Sequence, residues 1–106
     1  MIPNFLKNKL ATYSIEFTSH VQIRLLQRQI SREILIKHLR ECAHLKVLEQ
    51  QSGGKDEEKY KLWFVPHKRI AYVYVVAIKD VAKKIIVITA IKQRLSWQRK
   101  VQGHDK

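Results

Sequence analysis

Apolar and polar positions along this chain recur mainly as on helices between residues 19 and 44. After about residue 45 they alternate or run together as in strands, as they also do in one short stretch before the helices. Residues 1–11 carry no clear period, and Phe5, Leu6 and Leu10 predict only an amphipathic turn docked on the domain. Residues 12–18 alternate, with Tyr13, Ile15 and Phe17 on one side, which predicts a half-buried strand. Ser19 reads as a helix N-cap, with Gln22 completing a capping box. The helix is expected to reach about Gln29. Val21, Leu25 and Leu26 form its apolar face, and His20, Arg24 and Arg28 follow at i, i+4 steps on another. Ser31 reads as a second N-cap. Glu33 lies in the first turn, where the positive helix end favours a carboxylate. Leu35, Leu39, Cys42 and Ala43 carry this helix to about His44.

Strand patterns fill the remainder. Residues 46–50 predict a short strand and residues 51–58 a polar loop around two glycines. Residues 59–65 predict a strand ended by Pro66. Residues 69–78 are dense in β-branched and aromatic types, as in a central strand covered on both faces. Lys79 and Asp80 open a turn, and residues 84–91 predict another buried strand. Beyond Lys92 the chain turns polar and basic. Helices gathered ahead of short-connected strands describe an α+β domain. With 106 residues there is room for one such domain and too little chain for a dinucleotide-binding or barrel enzyme.

Charge changes the picture most. Lys and Arg number 21 against 9 Asp and Glu, a net +12. Most of the excess follows Ser52. Such a balance in a small domain is the electrostatic footprint of a nucleic-acid binder. The single cysteine, Cys42, excludes an internal disulfide and fits a reducing cytoplasm. No apolar run reaches the ~20 residues of a spanning helix or forms the apolar stretch of an export signal. The expectation is a cytoplasmic protein that makes no use of a membrane.

The segment FTSHVQIRLLQRQIS, residues 17–31, carries the candidate chemistry. Cleaving RNA without a metal needs a base for the 2′-hydroxyl proton and cations around a phosphate gaining charge. Imidazole transfers protons near neutral pH, and arginine grips phosphate oxygens as a charged fork. His20 lies at a helix N-terminus beside Arg24, and both features favour the neutral ring that a base requires. His38, Cys42 and His44 resemble metal ligands at first sight. However, His44 points away from the other two, and a zinc site needs three or four ligands, so no metal and no cofactor is expected. Trp63, Tyr72 and Tyr74 are expected in the core. Trp97, between Arg94 and Arg99, is equally suited to RNA, a protein partner or the domain itself. With Lys92, Arg94, Arg99 and Lys100 it makes up the expected RNA-holding tail.

The run Thr18-Ser19-His20, then Arg24, Arg28 and Ile30-Ser31, resembles a family of small bacterial domains near the RelE-type ribonuclease toxins. The stretch Ile86 to Ala90 is similar to that family's later strands. The resemblance covers about residues 12–92, leaving 1–11 and 93–106 as extensions. It implies two N-terminal helices packed on an antiparallel sheet of four to five strands. It also implies a toxin of a toxin–antitoxin pair that cleaves RNA, free or on the ribosome, beside an antitoxin with an acidic or amphipathic segment. His20, Arg24, Arg28 and Thr89 carry over from its pattern. The alternative is a non-catalytic nucleic-acid-binding accessory protein of plasmid or phage origin, which the charge fits equally.

Overall fold

A computed structural model describes residues 2–54 and 56–94. It is an α+β domain with helices α1 (Asn4–Thr12), α2 (Ser19–Gln27) and α3 (Arg32–Glu41). Its strands are β1 (Ser14–Phe17), β2 (Leu45–Gly53), β3 (Glu58–His67), β4 (Ile70–Lys79) and β5 (Lys84–Arg94). One sheet takes the order β1-β5-β4-β3-β2. Neighbours from β2 to β5 are antiparallel, as consecutive short connections require, and β1 runs parallel to β5. The sheet is therefore mixed, where a purely antiparallel one was expected.

Three helices stand where two were expected. Residues 1–11 supply most of α1, whose Leu6 and Leu10 are buried one helical step apart. Pro3 precedes it with no side-chain cap, and its first turn holds no acidic residue. The usual start signals are thus missing, which hides this helix in the sequence. Arg40 of α3 donates to the carbonyls of Leu10 and Tyr13 at 3.1 and 2.6 Å, closing the α1 C-terminus. Lys9 and the Tyr13 hydroxyl both meet the Asp80 carboxylate at 2.9 Å. Together they hold that carboxyl below its ordinary range and fasten α1 to the β4–β5 turn.

Thr18, not Ser19, caps α2: its hydroxyl accepts from the Val21 amide at 3.1 Å. Gln22 donates instead to the Phe17 carbonyl. Ser31 caps α3 as expected, accepting from the Ile34 amide. Leu26 is 82% exposed, so the apolar face of α2 is narrower than its periodicity promised. β2 extends through Gly53. Pro66 lies inside β3, at a register shift between Phe64 and His67 where a missing amide is tolerated. β4 is central, and both its faces are buried: Tyr72, Tyr74, Val76 and Ile78 on one, Ala71, Val73 and Ala77 on the other. The former face joins Leu6, Leu10, Val21, Leu25, Leu35 and Leu39 in one apolar core. No helix among the described residues is long and apolar enough to cross a membrane.

Candidate functional site

His20 and Arg24 are brought together as the helical spacing requires. Arg24 Nε donates to His20 Nε2 at 3.3 Å on the exposed side of α2. That bond uses the Nε2 lone pair, so it forms with the neutral ring whose proton sits on Nδ1. Val21 and Leu25 are buried on the opposite side and seat α2 against β5.

Arg28 is placed differently from the expectation of a third helical station. The helix stops at Gln27, Arg28 is its C-cap, and Gln29 takes a left-handed φ of 55°. The Gln29 amide bonds the Leu26 carbonyl and the Ile30 amide bonds the Leu25 carbonyl at 2.9 Å, a Schellman ending that tucks Ile30 into the core. Leaving the helix turns Arg28 toward the sheet. Its guanidinium, half-buried, donates to the Ala90 carbonyl of β5 at 2.7 Å. β1 accompanies β5 only from Lys84 to Val87, so this bond satisfies a carbonyl beyond the reach of β1.

Lys92 and Arg94 belong to β5 rather than to a tail. They sit opposite Tyr72 and Ile70 of β4, on the side of the sheet that carries the helices. Ala90, Lys92 and Arg94 are successive same-face stations, spaced by about 7 Å. β5 thus lines up the Arg28 anchor, the Lys92 ammonium and the Arg94 guanidinium. His67 and Arg69 of the β3–β4 turn border Arg94 across a shallow hollow. Thr89 sits opposite Val75 on the other face of the sheet, away from α2, and the fold does not join it to the histidine stripe. Trp97, Arg99 and Lys100 lie outside the described residues.

A second group of side chains joins tyrosines expected in the core to His38, which the sequence offers only as a metal-ligand candidate. His38 of α3 is buried, its ring stacked on Phe64 at 5.2 Å between centroids and tilted against Tyr72 at 4.9 Å. Its Nδ1 lies 2.8 Å from the Tyr74 hydroxyl. Burial, then His44 and Lys37, hold the His38 pKa below its ordinary value, so the ring is neutral at neutral pH. Tyr74 is fully buried, and burial raises its pKa far above the usual phenol range. His38 and Tyr72 of this cluster line a cleft of about 200 Å³ between α3 and the sheet, together with Glu41, His44 and Pro66. Lys92 lies over the outer side of the Tyr72 ring, 5.9 Å from its centroid. The only sequence signal for this cluster was a histidine on the apolar face of α3.

Among the described residues no three His, Cys, Asp or Glu side chains gather as metal ligands. Cys42 donates to the Leu39 carbonyl, and burial pushes its thiol pKa up, away from the thiolate a metal would need. No family model, curated protein or solved structure matches the chain.

Proposed function

We propose that this chain is a cytoplasmic, RelE-like toxin of a toxin–antitoxin pair, binding RNA and cleaving it by proton transfer between side chains and the 2′-hydroxyl. One observation carries the reading: an imidazole and a guanidinium in contact on an exposed helix face, above a strand that aligns Arg28, Lys92 and Arg94. In the free protein Arg24 occupies the His20 lone pair. A phosphate entering the stripe offers Arg24 a charged acceptor, drawing it off and freeing Nε2. Nε2 then takes the 2′-hydroxyl proton while O2′ attacks phosphorus and the bond to the 5′-oxygen breaks. The leaving oxygen collects a proton from the imidazolium or from water, and a 2′,3′-cyclic phosphate and a 5′-hydroxyl remain. Arg24 and Arg28 offset the charge that develops on the non-bridging oxygens.

Partner chemistry follows from the same helix. Ile23 is 57% exposed and Leu26 more so, and both lie on α2 beside Arg24. An antitoxin segment with apolar residues on one side and carboxylates on its rim would cover the stripe. The test is incubation of labelled single-stranded RNA with wild type and His20→Ala, with and without EDTA. Cleavage to cyclic-phosphate ends that survives EDTA and is lost in the variant upholds the reading. RNA left intact by wild type, or cut equally by the variant, removes it.

A specific observation favours the alternative of a non-catalytic nucleic-acid-binding accessory protein of plasmid or phage origin. Arg28 already uses one donor on a backbone carbonyl and is half-buried, which is a structural employment. Under that reading RNA or DNA is bound with steep salt dependence and recovered uncut.

A further inference from the structure

The cleft between α3 and the sheet has a polar floor that the fold itself does not use up. Tyr74 is fully buried and its hydroxyl has one bonding partner among the described residues, His38 Nδ1. A buried O–H without an acceptor is costly, which favours the tautomer in which Tyr74 donates to Nδ1 and the His38 ring proton lies on Nε2. His38 is 9% exposed and Tyr72 8%. Neither His38 Nε2 nor the Tyr72 hydroxyl bonds another described residue, yet neither is sealed from solvent. Both side chains line the cleft and are more than nine-tenths buried, so each brings one unbonded polar group to it: an imidazole nitrogen, an N–H donor in the favoured tautomer, and a hydroxyl that can donate or accept.

The remaining walls narrow the ligand. Ile34, Pro66 and the Tyr72 and His38 rings give a mostly apolar, aromatic lining. The volume suits one flat heterocycle rather than a peptide segment. Glu41 adds an acceptor, and Lys37 adds a cation. Lys92, in the basic row on β5, lies over the Tyr72 ring and so brings a cation beside the cleft. A planar group rich in ring nitrogens and attached to a phosphate meets each of these features. Rings stack on aromatic side chains while base edges exchange hydrogen bonds with the polar groups.

We propose that this cleft is a nucleobase subsite, receiving one unpaired base of the bound RNA while the adjoining phosphate rests on Lys92. The proposal rests on the RNA reading of the His20 stripe and adds to it where the strand runs next. His38 Nε2–H donates to a ring nitrogen or carbonyl of the base, Tyr72 binds its edge, and Glu41 accepts from an exocyclic amine where the base has one.

The test is an NMR titration of the whole chain with adenosine 5′-monophosphate, and separately with ribose 5-phosphate, which keeps sugar and phosphate but lacks the base. The nucleotide should shift the His38 ring signals and the amides of Lys37, Ala43 and His44, and ribose 5-phosphate should leave them in place. Ala43→Trp fills the cleft from an exposed position, so the folded variant should lose at least tenfold in nucleotide affinity. Equal shifts from both ligands would reduce the cleft to a phosphate site and overturn the proposal. So would nucleotide shifts confined to His20, Arg24 and Arg28, or undiminished binding by Ala43→Trp. A parallel titration with a short single-stranded RNA separates the two readings. RNA that shifts the α2 stripe but not the cleft sinks the subsite and leaves the RNA reading standing. RNA that shifts neither sinks both.

Discussion

His20 and His38 each bond a neighbour through one ring nitrogen, yet they belong to different kinds of site. His20 is exposed and meets Arg24, four residues along the same helix. His38 is buried and meets Tyr74, 36 residues away on the central strand. The first contact is made by helix geometry alone and would form in any helix carrying these two residues. The second exists only when α3 has been laid on the sheet, and it is enclosed by three aromatic rings. An exposed imidazole is free to exchange protons with a substrate and contributes little to folding. An enclosed one is held neutral and built into the core, so it can present a donor but is poorly placed to shuttle protons.

Substitutions should divide along this line. His38→Ala removes a ring stacked on Phe64 and leaves the Tyr74 hydroxyl unpaired, which should cost about 3 kcal/mol. For a domain of this size that lowers the thermal midpoint by about 12 °C or more, measured by circular dichroism. A midpoint within a few degrees of wild type would mean that His38 is no more built into the fold than His20. His20→Ala should move stability by no more than ~0.5 kcal/mol. On the proposed reading, RNA cleavage should fall about a hundredfold or more in this variant, equivalent to ~2.7 kcal/mol of transition-state stabilisation. Rates at matched concentration of folded protein test it.

Arg28 lies between the two classes. The full-helix expectation makes it a surface residue, but the Ala90 bond means that Arg28→Ala should cost about 1.5 kcal/mol of stability as well as phosphate affinity. Arg24→Ala should cost affinity alone. Urea midpoints for the two variants, compared with their salt-dependent RNA binding, decide whether Arg28 serves both fold and site.

The smallest effect is on pH dependence. The folded His38 pKa lies below that of the unfolded chain, so the unfolded state binds the extra proton first as pH falls. The stabilising contribution is intact above about 6.5, the ordinary imidazole value. It declines below that as pH drops toward the folded pKa. The thermal midpoint should therefore fall between pH 7 and pH 5. His38→Phe, which keeps a stacked ring, should flatten that fall. A fall of the same size in His38→Phe would remove His38 as its source.

What the sequence disclosed follows the same division between local and distant contacts. Periodicity located α2, α3, β3, β4 and β5 because those elements carry their own apolar pattern. It also paired His20 with Arg24. It could not show that β1 joins β5 in parallel, since alternation marks a strand without naming its neighbour. Gln29 hid the end of α2, because the left-handed position after a helix usually announces itself with glycine. That in turn hid the turn of Arg28 toward Ala90. Pro66 ended a strand on paper, whereas the register shift in β3 accommodates it. The cleft is not legible in the sequence because its lining comes from α3, the segment after it, β3 and β4, and no spacing within one segment encodes such a meeting.

The parallel pairing of β1 with β5 also orders events in time. β2, β3, β4 and β5 can zip as successive hairpins, each from neighbouring chain. The β1 edge must wait: Tyr13 meets Asp80 across 67 residues, and Arg28 finds its carbonyl 62 residues further on. Such long closures slow folding and come late in it. During synthesis His20 and Arg24 emerge early, but the strand that supports α2 and aligns Lys92 and Arg94 is made last among the described elements. A nascent chain therefore carries the histidine stripe without its platform. On the proposed reading, the ribosome making this protein is spared its activity until β5 has left the exit tunnel, a safeguard written into strand order rather than into any single residue.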